Sequence, residues 1–237
     1  DPRLAKIRAG LVKRVLGELK KKAEKAPEDY AAFWENFGGV LKEGLYEAGD
    51  QRETLLPLAR FRSTAVEGLT GLGDYVSRMK EGQDAIFYIA GEEADALARS
   101  PQVEGFRARG VEVLLMADPI DEFWIQAVGA FEDKPFRSVT RGDIDLSALG
   151  GGEKPEAETK AQEETKDGKL DGLIASFRLA LADTVKDVRL SNRLTDSSVC
   201  LVADDSDLDM HLERMLKQHK QVDTTSKRIL EVNPDHA

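Results

Sequence analysis

The sequence predicts an α/β unit followed by a smaller α+β unit. Three observations carry this expectation. The runs AIFYIAG (residues 85–91) and VEVLLMA (111–117) are apolar almost throughout, as strands covered on both faces are. Stretches of helical period lie before, between and after them. From Ser147 the composition turns Gly-, Glu- and Lys-rich, and a second set of helix and strand patterns follows.

Asp1 and Pro2 suit an N-cap and a first helical position, and Leu4, Ile7, Leu11, Val15 and Leu19 recur at spacings of three and four along one helix face. Lys20, Lys21, Lys22 and Lys25 complement the negative C-terminal end of that helix, and Pro27 breaks it. YAAFWENFGGVLKEGLYE predicts a second helix with Phe33, Phe37, Val40 and Leu41 inward. DQRETLLPLARF and GDYVSRM predict two short helices, and glycine-rich GLTGLGDY predicts a loop or helix entry. EEADALARSPQVEGFRARG is helical, interrupted at Pro101 and closed by Gly110; DEFWIQAVGAF is the next helix and FRSVT a third strand. Strand–helix–strand–helix–strand in so short a span implies parallel strands joined by crossovers. Beyond the polar stretch, LDGLIASFRLALADTV predicts a helix, KDVRLS and VCLVAD strands, SDLDMHLERMLKQH a helix and RILEVN a last strand.

A length of 237 residues suits two units, and 33% charged residues suit a well-solvated surface. The net charge of −10 argues against nonspecific nucleic-acid binding. No apolar run approaches the ~20 residues of a membrane span. With no signal peptide and a lone Cys200, a cytoplasmic location is expected. Asp1 in place of Met suggests a piece of a longer chain. Signs of catalysis are scarce: there is no GxxxxGK[ST] loop, and GLTGLGDY lacks GxGxxG spacing. His211 and His219 are too far apart for a metal pair on one helix face, and with His236 they read as exposed side chains. Cys200, inside an apolar strand, reads as a buried inert thiol.

Two stretches point to surface chemistry. In DPIDEFWIQAV, Phe123 and Trp124 are adjacent, and neighbouring helical positions point about 100° apart. A narrow core-facing stripe cannot take both rings, so one or both look outward; core packing of either ring is the competing reading. In SDLDMHLERMLKQH, Leu208, Leu212, Met215 and Leu216 share one apolar face and Met210 lies off it. That face suits core packing or an adaptable binding surface.

FWENFGGVLKEGLYE, LARFRST, DYVSRMKEGQDAIFYIAG, GVEVLLMADPIDEFWIQ, KDVRLSNRLTDSSVCLVAD and ILEVNPDH stand in this order along nearly the whole chain. Together they resemble the bacterial ninety-kilodalton heat-shock chaperone family, with RMKEGQ, DPIDE and RLTDSS in series the most specific part. The resemblance implies that residues 1–146 are the end of a middle domain: a helical connector and a small three-layer α/β/α subdomain with parallel strands. It implies a polar linker and helix start over 147–168, then a C-terminal α+β domain over 169–237 that lacks the terminal dimerisation helices.

Intact members, on this resemblance, bind ATP and Mg through an N-terminal domain that is not in this sequence. The arginine they lend to hydrolysis falls upstream, so neither Arg3 nor Arg8 takes its role. No catalysis and no cofactor are expected of this chain itself. Intact members form homodimers, whereas this piece is expected to be monomeric or weakly self-associating. Partners implied are unfolded or partly folded client proteins, with cochaperones as further candidates. Carried over by position, the client-contact candidates are Phe123, Trp124, Gln126, Leu208, Leu212, Met215 and Leu216. Some relatives place tryptophan where this chain has Phe123 and asparagine where it has Gln126. The competing functions are a structural spacer without client contact and a nucleotide-binding α/β enzyme domain.

Overall fold

A computed structural model describes residues 2–47, 49–146, 149, 170–204, 206–222 and 226–236. The polar linker expected over 147–168 lies outside the described residues apart from Leu149.

Helices α1 (Pro2–Lys25) and α2 (Pro27–Glu47) are separated by a single residue, Ala26, where Pro27 starts the second. Their buried faces match the periodicity only in part: Leu19, Phe33 and Leu41 pack against the core as expected. Leu4, Ile7, Leu11 and Val15 are between 55% and 67% exposed, and α1 instead packs through Val12, Leu16, Leu19 and Ala23. On α2, Phe37 and Val40 are exposed while Phe33 and Leu41 are half-buried; the buried residues are Tyr30, Trp34, Gly38, Lys42 and Leu45. Both helices carry two candidate stripes at helical spacing, and only neighbouring elements decide which is covered.

After the short α3 (Arg52–Leu55), the stretch expected to stay helical instead extends into a strand, β1 (Arg60–Ser63). The glycine-rich loop contributes a further short strand, β2 (Thr70–Gly71), before α4 (Leu72–Ser77). Then follow β3 (Ile86–Ala90), α5 (Ala94–Ala98), α6 (Glu104–Ala108), β4 (Leu114–Met116), α7 (Asp121–Val128), β5 (Ala130–Phe131) and β6 (Lys134–Ser138). They form a six-stranded sheet in the order β2-β1-β4-β3-β6-β5. β3 is buried along its whole length and pairs in parallel with both β4 and β6, as expected. The sheet as a whole is mixed rather than parallel, because β1 joins β4, and β5 joins β6, antiparallel. Two cores result. One packs α1, α2 and α7 against Phe61, Tyr88 and Leu114; the other packs Phe106, Val111 and Ile144 against Phe87 and Ile89.

Residues 170–180 are helical and are designated α8. β7 (Asp187–Leu190), β8 (Val199–Val202), α9 (Met210–Gln218) and β9 (Ile229–Val232) complete the fold, with a second sheet ordered β7-β9-β8. Val188 and Val232 of this sheet pack with Ile174 and Phe177 of α8. The chain past β6 bridges the two sheets: Ala203 N–H donates to Thr140 O at 2.8 Å and Gly142 N–H to Ala203 O at 3.0 Å. Among the described residues no helix is long and apolar enough to cross a membrane.

Candidate protein-binding surface

The acidic entry to α7 is a buried framework. Asp121 is fully buried; its carboxylate accepts from Lys42 Nζ at 2.9–3.0 Å and from Trp124 Nε1 at 2.7 Å. Burial pushes the Asp121 carboxyl up, while Lys42 and the indole N–H oppose that shift. Trp124, with 0% exposure, lies between Phe61 and Phe136, at ring-centroid distances of 5.7 and 5.3 Å. This corrects its expected place among the contact groups. The indole is a core residue, and its only polar atom is taken by a carboxylate one helical turn away.

One position earlier, Phe123 is 38% exposed and rests edge-on against Tyr46, which is itself half in solvent, at 6.1 Å. Gln126 is exposed on the same helix. The outward surface of α7 is therefore Phe123 and Gln126, joined by Tyr46 of α2. Tyr46 drew no notice in the sequence, although its place beside the buried Leu45 hinted that it flanks a core position. Gly129, at φ 74°, ends the helix in a conformation costly for other residues and turns the chain into β5.

Glu122 points the other way. It is buried, neither carboxylate oxygen has a hydrogen-bond partner, and burial, with Asp209 and Asp121 nearby, pushes its carboxyl up to about 8.

α9 is assembled inside out. Its N-cap, Asp209, accepts from the His211 amide at 3.0 Å through one oxygen. The other oxygen accepts from Ser138 Oγ at 2.5 Å and Thr140 Oγ1 at 2.7 Å. Glu213 is buried against Arg228 and accepts from Ser226 N–H at 2.6 Å. His211, expected in solvent, is also buried, and that burial holds its imidazole below the ordinary pKa. The aliphatic stripe is not the core face: Leu208 is 40% exposed, Leu212, Met215 and Leu216 are half-buried, and none of the four joins a core cluster.

Cys200 is buried, as expected, and burial pushes its thiol up to about 12, so it is no nucleophile at neutral pH. Among the described residues no three His, Cys, Asp or Glu side chains group as metal ligands would. A cavity of about 510 Å³ lies between α5, the Pro101–Gln102 turn and α9.

The body is thus mixed α/β, with Phe123 and Gln126 exposed on α7 and a half-buried aliphatic stripe on α9. The model of the family described as Hsp90 protein matches residues 2–237, and the chain belongs to that family. It is 56% identical over its full length to a chaperone protein HtpG from Roseobacter denitrificans and 54% identical to one from Paramagnetospirillum magneticum. A chaperone protein HtpG from a Wolbachia of Brugia malayi is 44% identical over 98% of the chain. The chain spans 36–38% of the length of these relatives.

Proposed function

We propose that this chain is the part of an ATP-dependent chaperone that touches clients and carries movement between its middle and C-terminal domains, without catalysis of its own. On this reading residues 1–146 are the helical connector and small three-layer α/β/α subdomain of the middle domain. Residues 169–237 are then the C-terminal domain, ATP and Mg belong to a part of the protein outside this sequence, and the protein acts in the cytoplasm as a homodimer.

One observation carries the client-binding reading. α9 and its N-cap place Asp209, His211 and Glu213 inside, while Leu208, just before the cap, is exposed and Leu212, Met215 and Leu216 are half-buried. A helix stabilised only by packing would do the reverse, because burying aliphatic groups contributes about 1.5–3 kcal/mol each while buried carboxylates cost free energy unless paired. An outward aliphatic stripe fits a partner that is itself apolar and irregular, since such contacts are nondirectional and thioethers adapt their shape. Phe123 and Gln126 supply a second contact of the same kind on α7. The surrounding acidic surface, at a net charge of −10, keeps such patches soluble.

The test is a paired substitution, Phe123→Ala with Leu208→Ser, measured for affinity to reduced, carboxymethylated α-lactalbumin. Weaker binding with an unchanged urea midpoint supports the assignment; unchanged affinity in the stable variant rejects it.

A further inference from the structure

The two sheets meet along a seam whose contacts differ in kind. At its centre Arg193 is wholly buried. Its guanidinium donates to Val139 O at 2.5 Å and Arg141 O at 2.8 Å and pairs with Glu231 at 3.0 Å. Beside it the chains touch backbone to backbone: a methyl on Gly105 would lie 2.6 Å from the Cα and carbonyl oxygen of Arg193. At the rim, Glu104, the first residue of α6, reaches across to the RLTDSS loop. Its carboxylate accepts from the amides of Thr195 at 2.9 Å, Asp196 at 3.1 Å and Ser197 at 3.2 Å, and from the Ser197 hydroxyl. The loop is tied in turn to the end of β9, where Asn233 Nδ2 donates to Ser197 O at 3.0 Å.

We propose that Glu104 is a positioning residue for the client surface: the clasp that sets the angle at which the C-terminal unit holds α9 relative to α7. The proposal rests on the client-contact reading above. Three consecutive amides converging on one carboxylate form an anion cradle, and here a side chain of the neighbouring unit fills it. The loop it grips leads directly into β8, and β8 leads through Asp209 into α9.

α9 needs such a clasp because Leu212, Met215 and Leu216 join no core cluster, and its inner side is held by the partners of Asp209 and Glu213. Its angle is thus governed by polar anchors rather than by an interlocked core. Arg193 cannot be the adjustable contact, since stripping one partner from a buried pair leaves an uncompensated charge. Glu104, at the wet edge with exposed loop partners, can let go and be replaced by water. Burial works against its charge, but the Ser197 hydroxyl and the amides outweigh it and hold the carboxyl below the ordinary range. The clasp is therefore closed at neutral pH.

The test uses this chain with Glu43→Cys on α2 and His219→Cys at the end of α9, both exposed, carrying spin labels; the buried Cys200 thiol stays unlabelled. In Glu104→Ala the label distance distribution should broaden or shift, and amide exchange at 195–197 should accelerate. Affinity for carboxymethylated α-lactalbumin should fall about fivefold, a loss on the order of 1 kcal/mol. Glu104→Gln, which keeps one acceptor oxygen, should recover part of each effect. An unaltered distance distribution in Glu104→Ala overturns the clasp. A shifted distribution with unchanged affinity overturns the positioning role, provided Phe123→Ala weakens binding. If Phe123→Ala also leaves affinity unchanged, the client reading has failed, and the distance measurement still decides the clasp.

Discussion

Phe123 and Trp124 are neighbours in sequence with opposite environments, and their substitution costs should diverge. Trp124→Ala empties a site walled by Phe61 and Phe136 and removes one of the donors to Asp121, so a loss of about 3–5 kcal/mol is expected in a urea melt. Phe123→Ala should cost under about 1 kcal/mol, because the ring is 38% exposed and rests edge-on against the half-exposed Tyr46. Glu122 gives a pH signature. Its folded pKa, near 8, stands above the ordinary 4.5, so its contribution to stability is full below pH 4.5 and is lost as pH rises through about 8. Within that window the loss is up to about 1.4 kcal/mol per pH unit. Thermal melts from pH 5 to pH 9 should fall for the wild type and flatten for Glu122→Gln. At this scale the sequence was half legible: adjacency showed that the rings could not share one stripe. Which ring turned inward depended on the indole reaching Asp121 three residues back, a contact consistent with the DEFW spacing but not compelled by it.

Among the elements, α9 shows where periodicity misleads. The stripe Leu208, Leu212, Met215 and Leu216 was evident, but a stripe says only that a helix is amphipathic, not which side is wet. Asp209 decides which face of the helix turns inward, by capping it and accepting from Ser138 and Thr140 of the neighbouring sheet. Asp209→Ala should cost about 2–4 kcal/mol, combining a lost N-cap with buried Ser138 and Thr140 hydroxyls that lose their shared acceptor. Calorimetry or a urea melt reads this directly, with Leu208→Ser, one residue before the cap, as the near-neutral comparison. The same ambiguity explains α1, where Leu4, Ile7, Leu11 and Val15 are the exposed side, and α2, where Phe37 and Val40 are exposed while Tyr30 and Trp34 are buried. β3 and β4 were easier, because an unbroken apolar run has no second face to choose. β1 was missed because RFRS alternates charged and other residues and follows a helical pattern without a break.

For the whole molecule, the two sheets behave as units joined by a seam of defined chemistry. The change of composition after residue 146 falls between the residues of the two sheets, but nothing in the sequence points to the seam, since Glu104 and Thr195 are far apart in the chain. Gly105→Ala tests how closely the units approach. The added methyl must push the Arg193 backbone away, so a loss of about 1–3 kcal/mol is expected, with faster amide exchange at Gly142 and Ala203. The central claim is that α7 and α9 present one client-contact surface. The most direct measurement is a methyl and amide NMR footprint of the chain on adding carboxymethylated α-lactalbumin. The account predicts perturbations at Phe123, Gln126, Leu208, Leu212, Met215 and Leu216, with Trp124 silent. A footprint confined to the exposed stripe Leu4, Ile7, Leu11 and Val15 of α1, or none on α7 and α9, would contradict it.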